Sequence, residues 1–208
     1  MPMPDSARRP IAARRSAWAQ RVAAVLARSA VTPNQISVLS VLFAFAGAAA
    51  LLCLPGASGL LGCSLAIALR LLCNLFDGMV AVEGGKGTPT GVLYNELPDR
   101  VADSLLLVAL GYAAALPWLG WLGALLAALT AYIRALGGAL GQPQDFRGPM
   151  AKPHRMWLMA GALVIAALVP AWRLPILQGA AWVIAAGAAL TCATRARAIA
   201  ARLQDDGA

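Results

Sequence analysis

The sequence has 208 residues, of which 60% are hydrophobic and only 12% are charged. Soluble globular domains carry roughly 25% charged residues, so about half of the usual solubilising charge is missing. The chain is short enough for one domain, and its apolar content exceeds what one soluble core can bury. Its apolar residues come in runs of about 20, the length at which a helix crosses the hydrocarbon core of a bilayer. These properties exclude a soluble globular enzyme and predict an all-α, polytopic membrane protein.

A cluster of positive charge lies near the N-terminus. The formal net charge is +8, from 17 Lys and Arg residues against 9 Asp and Glu residues. Six arginines precede the first apolar run, a pattern that suits an anionic membrane surface: they are Arg8, Arg9, Arg14, Arg15, Arg21 and Arg28. Because no aromatic-rich nucleic-acid motif accompanies them, we expect membrane lipid as a partner and no nucleic acid.

The first predicted element is a helix that lies on the membrane surface. Between Ala13 and Ala30, apolar residues recur at helical spacing against arginines, which is typical of an amphipathic helix in the cytoplasmic interface. The apolar positions are Trp18, Val22, Val25 and Leu26. The alternative is an ordinary solvated basic tail. Thr32, Pro33 and Asn34 then break the helix, since proline disfavours helical geometry in the residue before it.

Six apolar segments follow, and each is predicted to be a membrane-spanning helix. They cover residues 36–54, 59–76, 91–116, 119–140, 156–172 and 175–194. The connections alternate in charge, with thirteen basic residues on one side and only Arg173 on the other. The positive-inside rule then places both termini in the cytoplasm, in an integral cytoplasmic (inner) membrane protein. We therefore expect a cytoplasmic segment at 1–35, a membrane domain at 36–194 and a basic cytoplasmic tail at 195–208.

Amide and carboxylate side chains interrupt the second and third apolar segments. Polar groups there are costly and are therefore candidates for function. Asn74 and Asp77 share one face of the second helix, and Asn95, Asp99 and Asp103 recur at four-residue intervals on one face of the third. Oxygen ligands without histidine or cysteine favour a hard cation such as Mg²⁺, Mn²⁺ or Ca²⁺. The pattern therefore indicates a site for a divalent metal ion.

Two further features of this stretch bear on its function. Several glycines allow close backbone approach of a ligand, as in phosphate-binding loops: they are Gly78, Gly84, Gly85, Gly87 and Gly91. A competing interpretation is structural, because Asp99 or Asp103 can pair with an arginine inside the bundle, the candidates being Arg70, Arg100 and Arg134.

The same stretch resembles the signature of the CDP-alcohol phosphotransferase family. That signature reads D-x-x-D-G-x-x-A-R, then eight or nine residues, then G-x-x-x-D-x-x-x-D. The spacing is retained, and the matching positions are Asp77, Gly78, Ala81, Gly91 and Asp99. Asn74 and Asn95 stand at two of the four aspartate positions, and Val82 stands at the arginine position. The six-span layout, the interfacial helix and the Thr-Pro-Asn start of the first span extend the resemblance over most of the chain.

The resemblance implies an activity at the cytoplasmic membrane surface. The family transfers a phosphoalcohol from a CDP-linked donor, commonly CDP-diacylglycerol, to the hydroxyl of a small alcohol and releases CMP. It implies one or two Mg²⁺ or Mn²⁺ ions, with Asp99 as proton acceptor and metal ligand beside Asn74, Asp77 and Asn95. The positions implied to contact substrates are Asn34, Gly78, Ala81, Thr88, Gly91, Arg134 and Lys152. For Arg134, a structural pairing with an acidic residue is an equal alternative.

The departures from the signature alter the charge of the site. Two divalent ions bring four positive charges, which four carboxylates balance and two do not. We expect either a single-metal site or a rearranged one that recruits Asp103, one turn beyond Asp99, with Glu96 able to restore further charge. The loss of the arginine at Val82 weakens CDP binding unless Lys86 or a distant basic residue substitutes for it.

Three functions remain open on the sequence. An active phospholipid-synthesising transferase is favoured by the retained Asp77, Gly78 and Asp99. A catalytically inactive relative that binds a CDP-lipid or a partner protein is favoured by the substitutions at 74, 82 and 95. A small transporter is disfavoured because the chain has no convincing internal repeat. The transferase is our prediction. Homodimers are common in the family, and Gly137 and Gly141 offer small surfaces for helix packing.

Overall fold

The computed structural model describes residues 16–205, and this part of the chain is all-helical, as predicted. Its α-helices are α1 (Ala17–Arg28), α2 (Pro33–Cys53), α3 (Gly56–Val82), α4 (Gly91–Ala113), α5 (Pro117–Ala139), α6 (Lys152–Leu168) and α7 (Arg173–Asp205), with a 3-10 turn at Pro170–Trp172. The first residues of the predicted amphipathic helix, 13–15, and the arginines at 8, 9, 14 and 15 lie outside the described residues.

Four of these segments are long and apolar enough to cross a membrane. They are Pro33–Cys53, Gly56–Val82, Pro117–Ala139 and Pro170–Asp205. Helix α4 carries four charged residues in its first four turns, and α6 has only 17 residues, fewer than the roughly 20 that a span requires. The structure is therefore that of a membrane protein, whereas the membrane-spanning character of α4 and α6 stays a prediction.

The long helices of the described chain form a closed ring. Contacts run from α2 to α3, α6, α7, α5 and α4 and back to α2, and α4 also touches α7 across the ring. The interior is filled by fully buried apolar side chains such as Ile67, Leu106, Met159, Leu163 and Ile184. Because each helix buries apolar surface against two neighbours, the ring holds the ends of α3, α4 and α6 in fixed relation.

The start of α2 follows directly from its sequence. Thr32 Oγ1 accepts a hydrogen bond from the Gln35 backbone amide at 3.2 Å, and Gln35 Oε1 accepts one from the Thr32 amide at 2.9 Å. This is a capping box, and Pro33 occupies the first helical position, where its missing N–H has no consequence. The predicted break at Thr32, Pro33 and Asn34 thus coincides with the turn between α1 and α2.

Helix α1 packs across the C-terminal part of α3. Ala19 and Ala23 are buried against Leu75 and Met79, and the Trp18 ring stands edge-on to Phe76 with centroids 5.9 Å apart. The apolar side chains of Val22 and Val25 on α1 are exposed. Exposed apolar residues suit a helix that lies in a membrane interface, and that location stays a prediction for α1.

Two helices extend beyond the predicted spans. Helix α3 continues past residue 76 to Val82, which places Asp77 inside a regular helix. Helix α7 continues past residue 194 to Asp205, so residues 195–205 of the predicted tail are helical. The extension of α7 is anchored by Arg195, which is buried and donates hydrogen bonds to the backbone oxygens of Arg147 (2.8 Å) and Thr130 (2.6 Å).

The two glycines expected to support association between copies serve the chain's own fold. A methyl group at Gly137 would lie 2.8 Å from Ile199 Cδ1, so this glycine lets α5 and α7 approach closely. Gly141 has φ +78° in the turn after α5, a conformation that favours glycine. Gly137 is thus occupied within the chain, and the homodimer stays a prediction.

Candidate active site

Three carboxylates are buried where α3, α4 and the start of α6 come together. Asp77 on α3 is 6% exposed, and Asp99 and Asp103 on α4 are 6% and 2% exposed. Burying an unpaired carboxylate is strongly unfavourable, so each must have hydrogen-bond donors or cationic partners. The partners of the three carboxylates differ, and these differences define what each residue can do.

Asp103 is held between two buried arginines. Arg70 Nη2 from α3 lies 2.6 Å from Asp103 Oδ1, and Arg155 Nε from α6 donates to Asp103 Oδ2 at 3.0 Å. Both arginines are among the largest fully buried side chains. Asp103 therefore has both oxygens occupied and links α3, α4 and α6. This arrangement matches the structural interpretation of Asp103 as a partner of Arg70.

Asp99 contacts a lysine that comes from a distant part of the sequence. Lys152 Nζ, at the start of α6, forms an ion pair with Asp99 Oδ2, and Arg70 Nη2 lies 3.5 Å from Asp99 Oδ1. Arg100 is farther away, with Nη2 3.8 Å from Asp99 Oδ2. Asp99 is thus a buried carboxylate surrounded by positive charge.

The Asn74 amide bridges Asp99 and Lys152. With the amide oriented so that both of its atoms find partners, its oxygen accepts from Lys152 Nζ at 2.9 Å and its nitrogen donates to Asp99 Oδ1 at 3.3 Å. Asn74 and Asp99 belong to different helices, so this contact brings together two of the positions identified by their spacing in the sequence.

Asp77 has a separate donor but belongs to the same cluster. Ser37 Oγ on α2 donates to Asp77 Oδ2 at 2.7 Å. Asp77 also interacts electrostatically with Lys152 and with Asp99. The structure thus gathers Asn74, Asp77 and Asp99 around Lys152. Asn95, one turn before Asp99 on α4, is exposed.

The three buried carboxylates do not form one acidic cluster. Within residues 16–205, no group of three or more His, Cys, Asp or Glu side chains is placed to share a metal ion. Asp103 is bound by its two arginines, whereas Asp99 forms an ion pair with Lys152 and Asp77 interacts electrostatically with it. The oxygen donors that remain for a cation are two carboxylates and the Asn74 amide.

Some of the positions implied to contact substrate meet at the exposed end of α2 and α3. Asn34 Nδ2 donates to Thr88 Oγ1 at 3.4 Å, although 54 residues separate the two. Gly78 and Ala81 follow Asp77 on α3 and are half-buried, and Gly91 is the first residue of α4. These residues lie at the same end of the ring as Asp77.

Lys86 does not stand free to replace the missing signature arginine. Its Nζ donates to the backbone oxygens of Ser29 (2.5 Å) and Val31 (3.2 Å). Lys86 therefore ties the connection between α3 and α4 to the turn between α1 and α2. Val82, at the arginine position itself, is exposed.

Arg134 is engaged in a structural pairing. Its guanidinium donates to Glu96 Oε1 and Gln144 Oε1, both at 2.5 Å, and lies 5.4 Å from the centre of the Phe146 ring. This environment matches the alternative in which Arg134 pairs with an acidic residue. Through these contacts Arg134 joins α4 and α5 to the connection between α5 and α6.

That connection positions Lys152. The Met150 amide donates to Thr191 Oγ1 on α7 at 3.0 Å, and Asp145 accepts hydrogen bonds from Arg147 at 2.7–3.1 Å. The hydrogen bonds from Arg147 hold the pKa of the Asp145 carboxyl below its ordinary value. Arg202 on α7 also lies 3.5 Å from Asp145. The segment before Lys152 is therefore fixed to α7.

Two residues of the site were not singled out by the sequence. Ser37 resembles any serine in an apolar helix, and only its contact with Asp77 distinguishes it. Arg155 stood among the basic residues of a cytoplasmic connection. A signal for Arg155 did exist, because three carboxylates in apolar helices require cations at the ends of neighbouring helices.

Comparison with known proteins identifies relatives over most of the chain. No protein-family model matches it. The chain is 28% identical over 187 residues to the phosphatidylinositol phosphate synthase of Mycobacteroides abscessus, which covers 86% of this chain and 81% of that protein. It is 32% identical over 149 residues to the archaetidylinositol phosphate synthase of Aeropyrum pernix, covering 71% of this chain and 74% of that protein.

Solved structures share the fold. The phosphatidylinositol phosphate synthase of Mycobacterium tuberculosis with CDP-DAG bound superposes with a TM-score of 0.74, at 21% identity over 88% of this chain and 94% of that one. The same enzyme in complex with manganese and citrate gives 0.72, at 22% identity over 87% and 88% of the two chains. At these identities the likeness establishes the fold.

The helical ring, its buried charged cluster and these relatives define a class, the membrane transferases of phospholipid biosynthesis. Within that class, the chain belongs to the CDP-alcohol phosphotransferase family. The resemblance found in the sequence signature is thereby confirmed, in spite of asparagine at two of its four aspartate positions.

Proposed function

We propose that the chain transfers a phosphatidyl group from CDP-diacylglycerol to the hydroxyl of an inositol phosphate and releases CMP. The donor is supported by the M. tuberculosis relative, whose structure has CDP-DAG bound. The acceptor is supported by both curated relatives, whose names describe the synthesis of an inositol phosphate lipid. A product that contains inositol phosphate requires an inositol compound as the acceptor alcohol.

The observation that carries this proposal is the position of Asp99. It is the one signature carboxylate that lies within contact of residues from both α3 and α6, namely Asn74 and Lys152. A carboxylate at such a junction can accept the proton of the attacking hydroxyl. Lys152 and Arg70 place positive charge beside the two oxygens of that carboxylate.

Asn74, Asp77 and Asp99 are proposed to bind a divalent ion, Mg²⁺ or Mn²⁺. A relative has been solved in complex with manganese. The donors from Asn74, Asp77 and Asp99 are all oxygen atoms, which suits a hard cation. When bound, such an ion stabilises negative charge on the transferred phosphoryl group and on the departing CMP. Asn95 and Asp103 are assigned lesser parts, since Asn95 is exposed and Asp103 is paired with arginines.

The nucleotide is proposed to bind at the exposed ends of α2, α3 and α4. Asn34 and Thr88 meet there, and Gly78, Ala81 and Gly91 lie at the same end of the ring. Arg134 is assigned a structural part, because Glu96 and Gln144 occupy its guanidinium. Lys152 faces Asp99 directly and so belongs to the cluster itself.

The proposed membrane arrangement is six spans, α2 to α7, with α1 in the cytoplasmic interface. The basic residues Lys86, Lys152 and Arg195 lie at the end of the ring that carries the charged cluster. By the positive-inside rule that end faces the cytoplasm, together with both termini. The membrane domain at 36–194 would then present its site to water-soluble acceptors in the cytoplasm. A homodimer is also proposed by analogy with the family.

The direct test measures CMP release by the purified protein in detergent–lipid micelles. The assay contains CDP-diacylglycerol, Mg²⁺ or Mn²⁺, and either inositol phosphate, inositol, glycerol phosphate or serine, with a chelator control. We expect chelator-sensitive CMP only with inositol phosphate. CMP release with another alcohol would identify that alcohol as the acceptor instead. A folded protein that releases no CMP with any alcohol would contradict the proposed transferase activity.

A second candidate is a relative that binds CDP-lipid without turnover. It is favoured by Val82 at the arginine position and by Asn74 and Asn95 at two aspartate positions. This candidate predicts saturable binding of CDP-diacylglycerol with no CMP, measured in the same micelles.

A further inference from the structure

The Lys152 ammonium occupies the centre of the oxygen cluster. It forms an ion pair with Asp99, donates a hydrogen bond to the Asn74 oxygen at 2.9 Å and interacts electrostatically with Asp77. We propose that the site binds a single divalent ion and that Lys152 supplies, as a fixed part of the chain, the positive charge that a second ion would bring. This inference rests on the proposed function for the reaction that the site serves, but its test does not require turnover.

The charges around the site favour one ion over two. Asp103 is held by two fully buried guanidinium groups, from Arg70 at 2.6 Å and Arg155 at 3.0 Å, which together carry one positive charge more than this carboxylate balances. The carboxylates that remain are Asp77 and Asp99, with two negative charges. When that extra positive charge and Lys152 are counted, two divalent ions would leave four positive charges uncompensated in a buried site, whereas one ion leaves two. Uncompensated buried charge is strongly unfavourable.

Asn74 and Lys152 are chemically matched. An amide can donate to Asp99 and accept from Lys152 at the same time, and Asn74 lies within 3.3 Å and 2.9 Å of these two groups. A carboxylate at position 74 would accept from Lys152 but would face Asp99 with a like charge. The asparagine therefore fits a cluster in which an ammonium, rather than a second metal ion, stands between positions 74 and 99.

Lys152 is held in place by the chain around it. It is the first residue of α6, and the preceding Met150 amide is bound to Thr191 on α7 at 3.0 Å. Arg195 on α7 donates to the Arg147 backbone oxygen at 2.8 Å, so the connection before Lys152 is attached at two points. A positive charge fixed in this way persists whether or not an ion is bound.

The test counts Mn²⁺ ions bound to the purified full-length chain in micelles, without substrate, by electron paramagnetic resonance of free Mn²⁺. We expect one ion per chain in the wild type and in Asn74→Asp/Asn95→Asp, where Lys152 still excludes the second ion. We expect two ions per chain when Lys152→Met is added to that double variant. Lys152→Met alone should still bind one ion, with a dissociation constant lowered about tenfold by the removal of a neighbouring positive charge.

Lys86→Met is the matched control, because Lys86 donates to backbone oxygens of Ser29 and Val31 and contacts no carboxylate among the described residues. It should leave both the number of ions and the dissociation constant unchanged. The proposal would be overturned by two ions or no ion in the wild type, or by two ions in the double variant that keeps Lys152. It would also be overturned if Lys86→Met changed ion binding as much as Lys152→Met does. The wild-type count tests it even if a variant fails to fold. A protein that binds one ion but releases no CMP would contradict the proposed function and leave this inference intact.

Discussion

Arg155 and Asp103 form an ion pair that is sealed from solvent and joins α6 to α4. Arg155 Nε donates to Asp103 Oδ2 at 3.0 Å, and the two side chains are 1% and 3% exposed. Arg70 completes the arrangement from α3. One buried carboxylate thus fastens three helices at the end of the ring where the candidate site lies.

We predict that Asp103→Asn destabilises the protein strongly. The change leaves two buried arginines without their carboxylate, and breaking a buried pair in this way costs about 3–5 kcal/mol. The midpoint of thermal unfolding in micelles should fall accordingly. Arg147→Gln is the comparison and should lower the midpoint less, because Arg147 is 58% exposed and Arg202 still lies 3.5 Å from the buried Asp145 carboxylate after the change. Equal unfolding midpoints for Asp103→Asn and the wild type would contradict the structural part assigned to Asp103.

Asp99→Asn should abolish turnover without unfolding the protein. The amide cannot accept the proton of the attacking hydroxyl, and the loss of a general base lowers the rate by about 10²–10⁴-fold. Glu96→Gln is the control, because Glu96 lies on the same helix and pairs with Arg134. That variant should retain most of its CMP release. If the Asp99→Asn variant releases CMP at the wild-type rate, Asp99 is not the proton acceptor.

Ser37→Ala should weaken metal binding. Ser37 donates to Asp77 at 2.7 Å, and partners that orient a ligand carboxylate typically contribute 10–100-fold to metal affinity. The dissociation constant for Mn²⁺ should therefore rise by about that factor. Ser40→Ala provides the comparison, because Ser40 is equally buried on α2 but donates only to the Ser37 backbone oxygen. If both variants bind Mn²⁺ alike, the contact between Ser37 and Asp77 has no part in binding the ion.

Asp145 should contribute pH-dependent stability. Hydrogen bonds from Arg147 lower its pKa in the folded state. A depressed carboxyl pKa stabilises the fold above the unfolded pKa, about 4, and that contribution is lost as the pH falls through the folded pKa. The difference in unfolding midpoint between the wild type and Asp145→Asn should therefore be largest near neutral pH and shrink below about pH 4. In an Arg147→Gln background the difference should be smaller at neutral pH, and a pH-independent difference would contradict the stated cause.

The helices and the residues of the signature were predictable because both depend on local patterns. Apolar runs mark the helices, and the spacing of Asn74, Asp77 and Asp99 marks the faces that meet in the site. The start of α2 was also readable, since Thr32 and Pro33 carry a capping signal.

The partners of the signature residues were not predictable in the same way. Lys152 reaches Asp99 across 53 residues, and Ser37 reaches Asp77 across 40. Such contacts depend on how the helices pack around the ring, and the spacing of residues along the sequence does not determine that packing. The helical end of α7 was not predicted for a related reason, because Arg195 is buried and donates to the backbone oxygens of Thr130 and Arg147, which are distant in the sequence. Gly137 likewise packs against Ile199 of the same chain.

The central claim is that the chain catalyses a phosphatidyl transfer, and the ratio of its two products tests that claim most directly. Purified protein in micelles would receive labelled CDP-diacylglycerol, inositol phosphate and Mn²⁺, and CMP and the labelled lipid product would be quantified together. We predict equal amounts of CMP and phosphatidylinositol phosphate, both absent when Asp99→Asn replaces the wild type. CMP formed without the transferred lipid, or no CMP from a folded protein, would contradict the account.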